Sequence, residues 1–263
     1  MGEHVDISGH ATWVESVGSG DETVVLLHGG LSNCDDLLQS IGPALAERYR
    51  VVAFDRRGHG RTADIEGPLH YDDMAADTIA VIETVVGGPA HIVGWSDGGI
   101  LALLVARRRP ELVERMVLIG ANFHFDGVRE LATEGGGDFI NTLAQAYSDR
   151  SPDGPEHFAE IVAKTMTMFA TEPTMTIDEI RSIPTPALVL VGDDDLVELS
   201  HTCALYEALP HGQLAVLPGA SHAVPLEKPV EVAAAILDFF AGPPSPQTLM
   251  PSRRTPGGGA AAV

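Results

Sequence analysis

The chain has 263 residues, enough to bury a sizeable core, and its length fits one α/β domain with an insertion. Sixteen lysines and arginines against 37 aspartates and glutamates give a formal net charge of −21. This charge argues against nucleic acid and anionic membrane as partners, because both require basic patches on the protein. It is compatible with a small neutral or cationic substrate.

The sequence predicts a cytoplasmic protein. Its first 20 residues have neither a basic start nor an apolar core, so they do not resemble a secretory signal. No apolar run approaches the roughly 20 residues that span a bilayer. The two cysteines, Cys34 and Cys203, lack metal-ligand spacing, and we expect two free thiols in a reducing compartment. The oligomeric state is left open.

Eight strands are predicted, and helices separate most of them. The first two form an edge hairpin, and the third is a continuous run of β-forming residues of the kind that is buried on both faces of a sheet. The alternation predicts a mainly parallel sheet with helices on both faces and a ligand at the carboxyl ends of the strands. The predicted strands are 4–8, 11–17, 23–27, 50–54, 90–93, 115–120, 186–192 and 213–217, and the predicted helices are 35–48, 71–86, 98–106, 199–208 and 230–240.

A segment of about sixty residues, 123–183, interrupts the alternation and exceeds ordinary loop length. Gly and Pro clusters divide it into helical stretches, and we expect a helical cap that covers the strand ends and excludes water. The predicted organisation is therefore a core in two parts, 1–122 and 184–241, with the cap at 123–183. The Pro/Gly-rich tail, 242–263, has no apolar pattern and is predicted to be disordered.

The strongest local pattern is Gly-x-Ser-x-Gly at 94–98, between an apolar strand and an apolar helix. A strand that turns into a helix within about two residues leaves the middle residue, Ser96, in a strained conformation with its side chain exposed. Small residues must flank it because strand and helix nearly touch. Ser96 also falls at a helix N-terminus, where free N–H groups favour negative charge.

A serine hydroxyl is a poor nucleophile unless a base removes its proton, and the base needs an orienting carboxylate. The loop after the last predicted strand offers His222 as the base. The loop after the preceding strand offers Asp193, Asp194 and Asp195. The order serine, aspartate, histidine along the chain is the order expected of α/β-hydrolases.

Five motifs in this order resemble the α/β-hydrolase superfamily. The likeness covers residues 4–241, with the cap matched poorly. More narrowly, residues 94–100 and 120–122 are similar to the valacyclovir hydrolase (biphenyl-hydrolase-like) family of α-amino-acid ester hydrolases. The five motifs are His-Gly-Gly at 28–30, Asp-x-x-Gly-His-Gly at 55–60, Gly-Trp-Ser-Asp-Gly-Gly at 94–99, Gly-Asp-Asp-Asp at 192–195 and Gly-x-Ser-His at 219–222.

The resemblance implies an α/β-hydrolase fold and a role for each matching residue. Ser96 would be the nucleophile, and His222 the general base and later the acid. Asp195, the third position after the glycine, would orient the imidazole. The backbone N–H groups of Gly30 and Asp97 would form the oxyanion hole.

Four residues are predicted to bind substrate: Asp97, Trp95, Leu31 and Phe123. An anion fixed at Asp97 opposes the charge that develops in the oxyanion hole unless a cation offsets it. A substrate ammonium could do so, because opposite charges at about 4 Å and an effective dielectric near 20 attract by about 4 kcal/mol. As the resemblance implies, Asp97 would then recognise the α-amino group of an amino-acyl ester.

These features predict a serine hydrolase that cleaves small carboxylic esters through an acyl-enzyme, with α-amino-acid esters as the sharper hypothesis. No cofactor or metal is expected, because the histidines and carboxylates lack ligand spacing such as His-x-x-x-His. Carbon–carbon bond hydrolysis of diketones, lactone hydrolysis and cofactor-free perhydrolysis on the same fold stay open. So does a non-catalytic ligand receptor, since one scaffold hosts many functions.

Overall fold

The computed structural model describes residues 2–129, 136–244, 246 and 248–251. The strands in chain order are β1 (Glu3–Ile7), β2 (His10–Val17), β3 (Thr23–Leu27), β4 (Arg50–Phe54), β5 (Ala90–Trp95), β6 (Val113–Ile119), β7 (Ala187–Asp194) and β8 (Gly212–Ser221). They form one sheet in the order β1-β2-β4-β3-β5-β6-β7-β8. The β1–β2 and β2–β4 pairs are antiparallel and all other neighbours are parallel. The mainly parallel eight-stranded sheet and its edge hairpin are confirmed.

The predicted helices agree with the structure except in two places, and the structure adds a short helix, Val224–Glu227, that was not predicted. The predicted helix 35–48 is two helices, because Pro43 near the start of the second has no N–H with which to continue the first. The predicted helix 71–86 ends in a π-helical turn, Ile82–Val86. The α-helices are α1 (Cys34–Ser40), α2 (Gly42–Ala46), α3 (Tyr71–Val81), α4 (Asp97–Arg108), α5 (Gly136–Ser148), α6 (Phe158–Phe169), α7 (Ile177–Arg181), α8 (Leu199–Ala208), α9 (Val224–Glu227) and α10 (Pro229–Ala241).

The sheet is buried on both faces. Every residue of β3 is buried, with Val25 and Leu27 in the core that α3 and α4 cover. Val24 and Leu26 belong to the opposite core, which α1 and α10 cover. Successive side chains of a strand point to opposite faces, so the four apolar residues of β3 supply both cores at once.

The segment between β6 and β7 contains α5, α6 and α7 and lies over loops at the carboxyl ends of the strands. Tyr147 of α5 and Ile161 of α6 pack against Leu31, in the loop after β3. Glu172 accepts hydrogen bonds from the His70 ring and the Tyr71 N–H, at the start of α3. These contacts are those that a cap would make, and the division into core and cap stays a prediction.

Two further expectations concern membranes and the tail. Among the helices of the described residues, none combines the length and the apolar character that crossing a bilayer requires. The predicted disordered tail, 242–263, falls largely outside the described part of the chain.

Candidate active site

The turn between β5 and α4 has the geometry of a nucleophile elbow. Ser96, its central residue, has φ 55° and ψ −117°, a conformation that is strained for any residue with a side chain. A Cβ on Gly94 would lie 2.1 Å from the Gly98 carbonyl oxygen, and one on Gly98 would lie 2.0 Å from the Leu27 carbonyl oxygen. Glycine is therefore required at both positions for strand and helix to approach this closely.

Three of the predicted site residues form one hydrogen-bonded chain. His222 Nε2 lies 2.9 Å from Ser96 Oγ, and its Nδ1 lies 2.7 Å from Asp195 Oδ1. Because a carboxylate only accepts hydrogen bonds, Nδ1 carries the proton and Nε2 is left to accept from the serine hydroxyl. The Asp195 side chain is 2% exposed, and its Oδ1 also accepts the Val197 N–H at 2.9 Å. The imidazole is thus held in the tautomer that general-base chemistry needs.

The other two aspartates of the Gly-Asp-Asp-Asp motif do not reach the imidazole. Asp193 Oδ1 accepts the N–H groups of Gly219 and Ala220, which fixes the loop before His222. Asp194 is exposed at the end of β7. Of the three neighbouring carboxylates, the structure brings Asp195 alone to His222.

Trp95 differs from its predicted role in substrate binding. Its indole is buried in the core with Val93, on the face of the sheet that α1 and α10 cover. The reason is the alternation of side chains along β5, which sends residue 95 to the same face as residue 93. Its Nε1 donates a 2.8 Å hydrogen bond to the His222 carbonyl oxygen. Trp95 therefore supports the loop that carries His222 from the core that α1 and α10 cover.

Leu31 and Phe123, also predicted to bind substrate, lie in different settings. Leu31 directly follows Gly30 in the chain and has φ 56°. Its side chain packs against α5 and α6, so it borders the candidate site. Phe123 stacks on the His201 ring with centroids 3.9 Å apart, and its N–H donates to His201 Nε2. Burial lowers the pKa of His201 to about 4, which keeps the ring neutral. Phe123 is thus packed rather than open, which differs from its predicted role in lining a pocket.

The two residues predicted to form the oxyanion hole are neighbours in space. A Cβ on Gly30 would lie 2.8 Å from Asp97 Oδ2 and 2.7 Å from Phe169 Cζ. Gly30 is therefore enclosed between the elbow and α6. Asp97 is the first residue of α4, where a backbone N–H has no partner within its own helix. An anion beside Ser96 could accept hydrogen bonds from these two backbones.

The carboxylate of Asp97 is already paired inside the protein. Arg56 Nη2 lies 3.5 Å from Asp97 Oδ2, and the side chains are 1% and 3% exposed. The Tyr71 hydroxyl donates to Asp97 Oδ1 at 2.9 Å. Burial raises the pKa of Asp97, and the Arg56 charge and the Tyr71 hydrogen bond oppose that rise. An internal cation therefore already lies where the sequence predicted a substrate ammonium, and recognition of an amino-acyl ester by Asp97 stays a prediction.

Sequence reasoning missed Arg56 and Tyr71. The signal that could have found Arg56 is an arginine two residues after the end of the buried strand β4, where an inward side chain needs an anion. The neighbouring Arg57 turns elsewhere and forms a two-pronged pair with Asp77, at 2.7 and 2.8 Å. The sequence Arg-Arg does not say which side chain points inward.

One cluster among the described residues has the residue types of a metal site: Asp64, His157 and Glu160. It joins the loop after β4 to α6. Lys164 Nζ already lies 2.5 Å from Asp64 Oδ2, and His157 Nε2 lies 2.8 Å from the same oxygen. The Lys164 ammonium group supplies the positive charge that a metal ion would otherwise supply, so we assign no metal to the cluster.

The fold and the elbow define a class of protein, and comparison with known proteins identifies it. A family model described as the alpha/beta hydrolase family matches residues 24–235. The chain belongs to the α/β hydrolase family.

Individual relatives are distant but cover most of the chain. It is 29% identical over 263 residues to a non-heme haloperoxidase of Rhodococcus erythropolis, covering 85% of this chain and 93% of the relative. It is 27% identical over 237 residues to the human serine hydrolase BPHL, covering 83% and 79%. A meta-cleavage product hydrolase from Pseudomonas fluorescens IP01 (CumD) superposes with a TM-score of 0.73 at 25% identity, covering 91% and 97%. Relatives with different names are about equally similar, so family membership stands and the narrower amino-acid ester hydrolase likeness is not singled out.

Proposed function

We propose that this protein is a serine hydrolase that cleaves small carboxylic esters by acyl transfer. The observation that carries the proposal is the unbroken chain from Ser96 Oγ through the His222 ring to Asp195, with Ser96 at the apex of a strained elbow. Nucleophile, base and orienting acid each come from a different loop at one edge of the sheet. Such a convergence of three loops is the pattern expected of an activated serine.

In the acylation step, His222 Nε2 takes the hydroxyl proton as Ser96 Oγ attacks the ester carbonyl carbon. The imidazolium that forms is stabilised by Asp195, 2.7 Å from Nδ1. The carbonyl oxygen becomes an oxyanion, which accepts hydrogen bonds from the N–H groups of Gly30 and Asp97. When the tetrahedral intermediate collapses, Nε2 gives its proton to the departing alkoxide, and the alcohol leaves.

Deacylation repeats these steps with water. His222 takes a proton from a water molecule that attacks the acyl-enzyme at the same carbonyl carbon, and the same two N–H groups bind the second oxyanion. Collapse of this intermediate returns the proton to Ser96 Oγ and releases the carboxylic acid. No cofactor or metal takes part in either half of this scheme.

The surroundings of Gly30 favour a small, uncharged acyl group. Phe169 of α6 and Leu31 enclose the oxyanion loop from the side of the predicted cap. The α-amino-acid ester hypothesis needs an anion free to meet the ammonium, and the Asp97 carboxylate is held by Arg56 and Tyr71. We therefore propose simple acyl esters as the preferred class, with amino-acyl esters as the comparison that decides.

The test is a turnover profile across matched substrates: methyl propionate, the alanine methyl ester, a lactone and a vinylogous diketone. Ser96→Ala serves as the blank. We expect the simple ester to be hydrolysed by the wild type and not by the blank. If the lactone or the diketone is the preferred substrate, the proposed function becomes lactone hydrolysis or carbon–carbon bond hydrolysis instead of ester hydrolysis. A folded wild type that binds these compounds but turns over none of them would indicate a ligand receptor.

A further inference from the structure

A buried guanidinium connects the two loops that would form the oxyanion hole. Arg56 Nη1 donates to the His28 carbonyl oxygen at 2.6 Å, and Nη2 donates to the Gly29 carbonyl oxygen at 2.9 Å. The same Nη2 lies 3.5 Å from the Asp97 carboxylate. The Arg56 backbone N–H also donates to His28 Nε2 at 3.2 Å. One side chain thus joins the loops that follow β3, β4 and β5, directly before Gly30 and directly after Ser96.

The chemistry of this cluster is that of an ion pair rather than of packing. Arg56 and Asp97 are both almost fully buried, and a buried charge is strongly unfavourable unless it has a partner. Tyr71 is neutral here, because burial and the nearby Asp97 raise the pKa of its hydroxyl well above the usual value. Tyr71 therefore supplies a hydrogen bond to Asp97 but no charge. The positive charge that faces Asp97 from the loop after β4 is that of Arg56.

The position of Asp97 makes this pairing matter for catalysis. Its backbone N–H is one of the two proposed oxyanion donors, and its carboxylate lies beside Gly30, the other. An unpaired carboxylate there would repel the developing oxyanion and weaken transition-state binding. A cation that pairs with it removes this repulsion.

Building on the proposed function, we propose that Arg56 is a positioning residue that clamps the oxyanion loop to the elbow and serves as the internal counter-ion of Asp97. It thereby sets the site for acyl groups that carry no ammonium. In this arrangement a substrate ammonium gains little from Asp97, because its charge is already met. The specificity of the site for the acyl group is then decided by a residue that need not touch the substrate.

The experiment compares the alanine methyl ester with methyl propionate, which differ only in the α-amino group. The variants are Arg56→Met, which leaves Asp97 unpaired, and Arg56→Met combined with Asp97→Asn, which removes both charges. Arg57→Met is the matched control: the neighbouring arginine has a similar pair, with Asp77, but does not contact the oxyanion loop.

We expect Arg56→Met to lower kcat/KM for methyl propionate by at least about tenfold and the amino ester to lose much less. The ratio of the two kcat/KM values, amino ester over propionate, should therefore rise by at least about tenfold. The double variant should return the ratio to within about threefold of the wild type, and Arg57→Met should leave it unchanged. An unchanged ratio in folded Arg56→Met, or an equal shift in Arg57→Met, would overturn the proposal.

The double variant tests the same idea without leaving an unpaired charge at either position. If Arg56 is the counter-ion, its ratio of the two kcat/KM values stays within about threefold of the wild type. A ratio at least about tenfold below that of the wild type would show that Asp97 meets the substrate ammonium, and would overturn the proposal.

Urea unfolding separates this inference from the proposed function. A buried unpaired carboxylate is costly, so the double variant should unfold at a higher urea concentration than Arg56→Met alone. If the double variant is the less stable, Arg56 is not the counter-ion, whatever the enzyme does. If the stability order holds but the wild type hydrolyses no ester, the proposed function fails while the pairing stands.

Discussion

Replacing Asp195 by asparagine removes one charge from the site with almost no change in shape. The carboxylate lies 2.7 Å from His222 Nδ1 and its side chain is 2% exposed, so little water screens the pair. At about 4 Å between charge centres and an effective dielectric near 20, it stabilises the imidazolium of the transition state by about 4 kcal/mol. That energy corresponds to about 10³-fold in rate. Asparagine can also present its own N–H to Nδ1 and so select the wrong tautomer, which brings the expected loss in kcat to about 10³–10⁴-fold.

The assay is the initial rate of p-nitrophenyl acetate hydrolysis, with thermal unfolding measured in parallel. Asp194→Asn is the matched control, because it removes a carboxylate one residue away that is exposed at the end of β7. We expect the control to keep wild-type activity. Retention of more than about a tenth of the activity in folded Asp195→Asn would refute the reasoning, as would an equal loss in Asp194→Asn.

Three further predictions test the elbow, a buried histidine and the histidine loop. Gly98→Ala places a Cβ 2.0 Å from a backbone oxygen of β3 and should lower the free energy of unfolding by at least about 3 kcal/mol. The control Gly88→Ala, whose Cβ would have nothing within 4 Å, should change this free energy by less than about 1 kcal/mol. Similar urea midpoints for the two variants would contradict the prediction. Burial and then the Arg115 charge lower the pKa of His91 to about 4, below its unfolded value of about 6.5, so the unfolded chain binds more protons as pH falls between these values and stability is lost. Between pH 7 and pH 5, the free energy of unfolding of His91→Phe, measured by urea titration, should therefore fall by about 2 kcal/mol less than that of the wild type. An equal fall in both proteins would contradict the prediction. Trp95→Phe removes the donor to the His222 carbonyl and should lower kcat/KM by about two- to tenfold; an unchanged value would show that this hydrogen bond does not position the loop.

The sheet was predictable because its strands carry strong local signals. Thr23–Leu27 is rich in β-forming residues, with four apolar residues after Thr23, and the structure buries all five between two cores. The break between α1 and α2 had a signal as well, Pro43, but the apolar spacing around it continues from one helix into the next. Periodicity alone therefore merged two helices into one.

Some site residues lie in a recognisable sequence motif, whereas the role of others depends on the direction in which the side chain points. The position of Ser96 was predictable from the flanking glycines, because a side chain at Gly94 or Gly98 would clash with the backbone. The prediction for Trp95 did not use the alternation along β5, which groups it with Val93 in the core that α1 and α10 cover. Arg56 was missed because its inward direction depends on carbonyl oxygens and a carboxylate from two other loops. Such long-range partners leave no local pattern.

The account rests on Ser96 as a nucleophile activated by His222. Incubation with a fluorophosphonate, followed by intact mass measurement and peptide mapping, tests this directly, because only an activated serine captures the reagent quickly. We predict one adduct per chain, located on Ser96, absent from Ser96→Ala and formed at least about 10²-fold more slowly in His222→Ala. An adduct on another residue, or hydrolysis that continues in Ser96→Ala, would contradict the account.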